Sequence, residues 1–209
     1  VFDRAHAQGK PFFAHVMTTS NHRPYTYPDG RIDIPSGDGR EGAVKYTDHA
    51  IAQFLQEAKG KPWFDNTLFV FVADHTAGSA GVEDLPVRNY QIPLWIYAPK
   101  LIAPREDAQL ASQIDLAPTL LGLLNLDYQS TFFGRNLLQD NPAPRRVLLG
   151  NYQHLGLFDG QDLAILSPQR HMRRHDDALG ASQESSSDAS DPLLQRDIAY
   201  YQAASYAFK

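Results

Sequence analysis

The 209-residue sequence contains no cysteine. Disulfides, thiolate metal sites and cysteine nucleophiles are therefore excluded within this chain. Its longest apolar runs are also far shorter than the roughly 20 residues that cross a bilayer, and no signal-like pattern is present. Because the sequence opens on Val1 and not on methionine, we expect it to be a piece of a longer chain.

The sequence also has no long run of charge of one sign. It carries 19 Lys and Arg against 24 Asp and Glu, for a formal net charge of −5. General binders of nucleic acid or of anionic membranes need a concentrated positive field, so this balance argues against both classes. With 43% hydrophobic residues, the chain has enough apolar surface for a folded domain. A small ligand is the favoured partner, and no nucleic-acid partner is expected.

Three common catalytic and nucleotide-binding motifs are missing. The sequence has no Gly-x-Ser-x-Gly elbow, no Walker-type loop and no Gly-x-Gly-x-x-Gly turn. Serine-hydrolase, nucleoside-triphosphate and dinucleotide functions therefore lose their usual sequence signatures.

Apolar runs and helical periodicity alternate over the first 140 residues. Continuous apolar runs predict buried strands, and apolar residues at three- and four-residue steps predict helices. The predicted strands are 10–19, 67–73 and 92–98, and the predicted helices are 41–58 and 113–124. Asp115 is the expected N-cap of the second helix. This order predicts an α/β layered fold with a mainly parallel sheet and helices on both faces.

The pattern changes beyond residue 140. Short apolar runs at 146–152 and 155–166 surround an Asp-Gly turn and predict a small β-hairpin. The Ser- and Asp-rich stretch at about 167–192 has the composition of a flexible loop, and 193–208 has helical spacing. We therefore divide the chain into residues 1–140 and a C-terminal part, 141–209, packed on the same domain.

Asp74 and His75 are the strongest chemical signal. They follow the run TLFVFVA and precede a Gly- and Ser-rich loop. Carboxylate oxygen and imidazole nitrogen delivered by a stiff strand could bind a divalent cation. In the alternative interpretation, Asp74 caps a turn and His75 is a hydrogen-bonded polar residue at the end of a strand.

The other histidines give weaker signals. His22, in TTSNHRPY, could hold an anionic oxygen or relay a proton, or it could be an exposed loop side chain. His15 lies in an apolar run and is expected in the core, while His49 is expected to be structural or on the surface. His171 and His175 lie beside several arginines, where a solvated loop is the favoured interpretation.

Five blocks of the sequence, in this order, carry a resemblance to a known family. They are MTTSNHRPY, VADHTAGSAG, NYQIPLWIYAPKLI, SQIDLAPTLLGLLNL and FFGRNLL. The chain from about Phe12 to Leu138 resembles the C-terminal half of the sulfatase-like branch of the alkaline phosphatase superfamily. Within that branch, it is most similar to the lipoteichoic-acid-synthase-like phosphoglycerol transferases.

The resemblance implies roles for three residues. In that family a threonine nucleophile attacks a phospho- or sulfo-ester, and a divalent cation polarises the reacting groups. Asp74 and His75 match the family's Asp-His pair of metal ligands, and His22 matches its substrate-contacting Asn-His histidine. Manganese is the expected ion, with calcium, magnesium and zinc as alternatives. A hard cation prefers carboxylate oxygen, so the implied roles agree with the chemistry of these side chains.

The resemblance also implies what the chain does not supply. The family's nucleophile, its glutamate ligand and a substrate-binding arginine precede the matching segment, and Thr18, Thr19 and Thr26 do not occupy the nucleophile's place. We therefore predict no catalytic nucleophile in this chain, and weak metal binding without turnover. The implied partners are an anionic phospho- or sulfo-ester, which could be lipid-linked, and the N-terminal remainder of the catalytic domain.

Two further expectations concern location and the competing function. By resemblance, the protein belongs to the cell envelope, at the extracytoplasmic face of the cytoplasmic membrane. The competing hypothesis is a non-catalytic structural or glycan-binding module derived from such an enzyme.

Overall fold

The computed structural model describes residues 1–78, 84–139 and 143–208. The chain forms two compact units, one of Val1–Val70 with Trp95–Arg105 and one of Phe71–Leu94 with Glu106–Lys209. The helices are α1 (Phe2–His6), α2 (Arg40–Ala58), α3 (Leu116–Leu123) and α4 (Pro192–Ala207). The strands are β1 (Phe69–Val72), β2 (Leu94–Tyr97), β3 (Val147–Gly150), β4 (Leu155–Phe158), β5 (Leu163–Leu166), β6 (Met172–Asp176) and β7 (Gln183–Ser186).

The first unit is built around aromatic side chains. Phe69 of β1 is buried, and its ring centroid lies 6.0 Å from that of Phe54 on α2 and 5.3 Å from that of Phe64. Asp3 accepts hydrogen bonds from Lys61 Nζ and Trp63 Nε1, both at 2.8 Å. These contacts attach α1 to the turn that precedes β1.

The predicted strand at residues 10–19 is not present. Residues 11–19 have no regular secondary structure, and Phe13 and Met17 are 89% and 74% exposed. A strand needs a neighbour to accept and donate its backbone hydrogen bonds, and among the described residues none pairs with this segment. The prediction was therefore wrong here, and its corollary that His15 lies in the core was wrong as well, because His15 is exposed.

The second unit contains an antiparallel sheet of five strands in the order β3-β4-β5-β6-β7. Successive residues of β5 enter different apolar clusters. Leu163 and Ile165 pack with Leu85, while Ala164 packs with Leu194 of α4. A strand that is buried on both faces of a sheet has a continuous apolar sequence, which explains the pattern LAIL of β5. The predicted hairpin is thus the centre of a larger sheet.

The prediction that residues 167–192 form a flexible loop was wrong, because β6 and β7 lie within this stretch. Its polar composition predicted a loop, but the charged side chains of β6 are paired. Arg174 donates to Asp162 at 2.6 Å and to Asp191 at 3.1 Å. Asp191 is also the N-cap of α4, accepting from the backbone N–H of Leu193 at 2.8 Å. These ion pairs allow a polar strand to join the sheet and attach to α4.

Asp115 lies in a buried polar network that the sequence did not indicate. Its carboxylate accepts from the backbone N–H of Ser112 at 2.9 Å and of Arg135 at 2.8 Å, and from Arg146 Nη1 at 3.1 Å. Asp115 is the N-cap residue of α3, as predicted, but its side chain makes no capping hydrogen bond to that helix. A Cβ on Gly134 would lie 1.8 Å from the carbonyl oxygen of Ile114, so only glycine allows this approach.

β1 and β2 form a separate two-stranded sheet. They lie within the predicted strands 67–73 and 92–98, while α2 and α3 match the predicted helices 41–58 and 113–124. The division of the chain at residue 140 stays a prediction. Within the described residues, no helix combines the length and apolarity needed to cross a membrane.

Candidate metal and anion sites

Asp74 and His75 follow β1 in the second unit. The backbone N–H of Ala73 donates to the carbonyl of Pro93 at 3.3 Å, which fixes the chain just before the pair. Asp74 Oδ1 accepts from the backbone N–H of His75 at 2.8 Å, and Asp74 Oδ2 lies 3.5 Å from His75 Nε2. The two side chains are 82% and 73% exposed. The structure therefore brings both predicted metal ligands together at an open surface.

The hydrogen bond of the His75 ring defines its tautomer. Nδ1 lies 2.7 Å from the carbonyl oxygen of Thr76. A carbonyl can only accept, so Nδ1 carries the proton, and in the neutral imidazole Nε2 presents a lone pair. That lone pair faces the Asp74 carboxylate. A carbonyl bonded to one ring nitrogen with the other nitrogen free is the usual arrangement of a metal-binding histidine.

Gln113 supports this turn from a distant part of the sequence. Its carboxamide Nε2 donates to the carbonyl of Ala73 at 3.0 Å and lies 3.3 Å from the carbonyl of Asp74. Sequence reasoning assigned no role to Gln113. The only signal was its position in the block SQIDLAPTLLGLLNL, because a contact across 40 positions has no local periodicity.

His22 belongs to the first unit, in a loop before α2. Two backbone hydrogen bonds close the loop. The N–H of His22 donates to the carbonyl of Thr19 at 3.0 Å, and the N–H of Tyr25 donates to the carbonyl of His22 at 2.8 Å. The ring Nδ1 lies 2.8 Å from the carbonyl of Arg23, which leaves Nε2 as the free nitrogen. Thr47 of α2 donates to the neighbouring Asn21 side chain at 3.2 Å. His22 is thus an exposed imidazole on a hydrogen-bonded loop.

No group of three or more His, Asp or Glu side chains able to hold a metal ion occurs within the described ranges. Asp74 and His75 can therefore supply two ligands, and further ligands would have to come from outside this group. His49 is half-buried on α2, as expected for a structural or surface residue.

Comparisons with known proteins identify the family. The chain belongs to the sulfatase family, whose model matches residues 1–126. The predicted resemblance is thereby confirmed.

Two curated relatives are more specific. Lipoteichoic acid synthase 2 of Bacillus subtilis (strain 168) is 28% identical over 139 residues, which cover 56% of this chain and 21% of that protein. Phosphoglycerol transferase I of Xanthomonas campestris pv. campestris (strain B100) is 28% identical over 143 residues, which cover 65% of this chain and 20% of that protein. The chain thus matches about a fifth of the length of these relatives.

The assignment of the fold to the alkaline phosphatase superfamily is also confirmed. A protein in the alkaline phosphatase superfamily from Vibrio parahaemolyticus matches 99% of this chain and 51% of its own, with a TM-score of 0.88 and 32% identity. A second structure, that of Ps i-CgsB, matches 98% of this chain and 52% of its own, with a TM-score of 0.69 and 19% identity. This second likeness concerns the fold alone.

Proposed function

We propose that the chain forms part of a metal-dependent enzyme that transfers or hydrolyses phosphoryl or sulfuryl esters. The observation that carries the proposal is the Asp74 carboxylate, 3.5 Å from the free Nε2 of His75. Family membership supports the choice of chemistry. The names of the relatives, lipoteichoic acid synthase and phosphoglycerol transferase, favour an anionic phosphoglycerol ester among the candidate substrates.

Asp74 and His75 fit a divalent cation by their donor atoms. One anionic oxygen and one neutral imidazole nitrogen suit manganese and also zinc, whereas calcium and magnesium would depend more on oxygen ligands. When bound, the ion would act as a Lewis acid on the transferred group. Gln113 would hold the backbone of Asp74 in place, so that the carboxylate keeps its position next to His75.

His22 would contact the anionic substrate. In its neutral form the free Nε2 accepts a hydrogen bond, and once protonated it donates to a phosphoryl or sulfuryl oxygen. A donor aimed at the oxygens of the transferred group stabilises the charge that develops there. Manganese as the ion and the extracytoplasmic face of the membrane as the location belong to the same proposal.

The metal assignment is tested by titrating the chain with Mn²⁺ and measuring the bound ion by electron paramagnetic resonance. We expect His75→Ala to weaken binding at least about 10-fold, because it removes one of two ligands. His6→Ala is the matched control, since His6 is exposed on α1 and should leave binding unchanged. Equal affinity of the His75 variant and the parent would remove His75 from the site.

An assay with aryl phosphate and aryl sulfate tests the remainder of the proposal. We expect no turnover by the 209-residue chain, because the family's nucleophile has no counterpart among its threonines. Turnover that depends on Mn²⁺ would contradict this expectation. A chain that fails to bind Mn²⁺ but retains its fold would instead favour the structural or glycan-binding module.

A further inference from the structure

A cleft of about 610 Å³ lies on the five-stranded sheet of the second unit. Its lining residues, 154–187, are distant in sequence from Asp74 and His75. His154 and Ser167 line it, and their side chains touch, with His154 Nδ1 2.9 Å from Ser167 Oγ. The other ring nitrogen, His154 Nε2, lies 3.4 Å from Asp84 Oδ1. A serine, a histidine and an aspartate are therefore connected in series.

The contacts of the imidazole determine where its proton lies. The Asp84 carboxylate can only accept, so Nε2 of a neutral His154 carries the proton and points it at Asp84. Nδ1 is then left with a lone pair, which accepts from the hydroxyl of Ser167. This is the arrangement of a nucleophile, its general base and an orienting carboxylate, which is recognised by geometry and not by sequence order. The missing Gly-x-Ser-x-Gly motif does not exclude it.

Two side chains outside the series hold it together. Asn151 accepts from the backbone N–H of His154 at 2.8 Å through Oδ1 and donates to the carbonyl of Asp84 at 2.7 Å through Nδ2. Arg173 of β6 forms an ion pair with the Asp84 carboxylate. Asn151 and Arg173 thus both hold Asp84. Asn151 also holds the backbone of His154. Rigid support of this kind distinguishes a built site from a chance surface contact.

We propose that Ser167 is the nucleophile of a second active site, which hydrolyses short-chain carboxylic esters. Ser167 Oγ attacks the ester carbonyl carbon while its proton passes to His154 Nδ1. The carbon–alkoxy bond then breaks, and the proton moves from His154 to the departing alkoxide, leaving an acyl group on Ser167. Water, deprotonated by His154, attacks that acyl group, the bond between the acyl carbon and Ser167 Oγ breaks, and the proton on His154 returns to Oγ as the carboxylic acid leaves. This activity is independent of the proposed metal site.

The lining of the cleft indicates the preferred substrate. Its volume is that of a small-molecule site, with Met172 and Pro168 as apolar surface. Arg170 also lines it and forms no ion pair with any of the described residues. An unpaired guanidinium attracts negative charge. We therefore expect esters that carry an anionic group to be preferred over neutral ones.

The first test measures hydrolysis of p-nitrophenyl acetate by the 209-residue chain in the presence of EDTA. We expect Ser167→Ala to lower kcat/KM at least about 100-fold. The matched control is Ser182→Ala, because Ser182 Oγ lies 3.2 Å from His175 Nδ1 but the Nε2 of His175 has no partner among the described residues. That control should retain the parent rate. Equal rates for parent and Ser167→Ala, or equal losses in both variants, would overturn the proposal.

The second test uses the cysteine-free background and does not depend on turnover. The variants Ser167→Cys and Ser182→Cys each introduce the chain's only thiol, which is treated with iodoacetamide at pH 7. Both thiols would lie beside an imidazole, but only His154 is oriented by a carboxylate, that of Asp84. Ser167→Cys should therefore have the larger thiolate fraction and be alkylated about 10-fold faster than Ser182→Cys. Asp84→Asn, a change at a positioning residue, should reduce this advantage. Equal alkylation rates would overturn the proposal even if the alanine variant failed to fold.

Discussion

Arg146→Met should lower the free energy of unfolding of the second unit by about 3–5 kcal/mol. The side chains of Arg146 and Asp115 are only 1% and 3% exposed, and Nη1 lies 3.1 Å from Oδ1. Removing the guanidinium leaves a buried carboxylate without a counter-charge. Methionine fills much of the volume, so the loss measures the charge and its hydrogen bonds more than an empty cavity.

The other contacts of Arg146 explain why lysine should not replace it. Its Nε donates to Tyr200 Oη at 3.1 Å, its Nη2 donates to the carbonyl of Phe133, and the guanidinium lies 5.4 Å from the centre of the Tyr200 ring. Burial opposes the charged form, but the hydrogen bond to Tyr200 and the charge of Asp115 raise the pKa of Arg146 above its ordinary value. A lysine ammonium cannot make the hydrogen bonds that the planar guanidinium directs to Tyr200, Phe133 and Asp115.

Arg145→Met provides the matched control for the Arg146 variant. Among the described residues, Arg145 donates only to the carbonyls of Leu110 and Leu137, at 3.3 and 3.2 Å, so its loss should cost about 1 kcal/mol. Both tryptophans, Trp63 and Trp95, belong to the first unit, whereas Arg146 and Asp115 belong to the second. Hydrogen exchange of the peptides that cover β4 and β5 is the suitable measurement. Equal protection in the two variants would show that the ion pair contributes nothing beyond ordinary hydrogen bonds.

Local patterns in the sequence were sufficient for elements that bury apolar side chains at a regular spacing. The prediction 41–58 coincides with α2 to within one residue, and β1 lies inside the run predicted at 67–73. The Asp-Gly turn was also found, because Gly160, with φ of 109°, has the positive-φ conformation that favours glycine. Asp74 and His75 could be found in the same way, since they are adjacent and follow a strand.

Contacts between distant residues left no such pattern. The predicted strand at 10–19 was wrong because an apolar run shows what a segment could bury and not which neighbour is there to cover it. Charged residues of β6 suggested a solvated loop, yet their acidic partners Asp84, Asp162 and Asp191 lie 12 to 89 residues away. For the same reason, the sequence alone did not indicate the series formed by Ser167, His154 and Asp84. Their chemistry depends on pairing across the sheet.

Asp197→Asn should make the protein more stable, and the gain should be larger at pH 8 than at pH 5. Asp197 of α4 is 0% exposed, and neither carboxyl oxygen has a hydrogen-bond partner among the described residues. Burial raises the pKa of Asp197 to about 7 from an ordinary value of 3.8. One turn along, the pKa of Tyr201 is raised to about 12 by its own burial and by the charge of Asp197.

The sign of the pH effect follows from the two pKa values of Asp197. Between pH 3.8 and about 7 the unfolded chain has lost this proton while the folded chain keeps it. Stability therefore falls as the pH rises through this window and is constant above it, by roughly 4 kcal/mol in total. An asparagine has the same shape and no charge to bury, so the variant should lose this part of the slope.

Urea unfolding at pH 5 and pH 8, followed by circular dichroism, measures the difference between parent and variant. The comparison removes the contributions of the eight histidines, which both proteins share. Asp127→Asn makes the same chemical change at an exposed carboxyl and should shift neither value. If Asp197→Asn destabilised the protein equally at both pH values, Asp197 would be a hydrogen-bonded carboxylate in solution, and the buried neutral acid would be refuted.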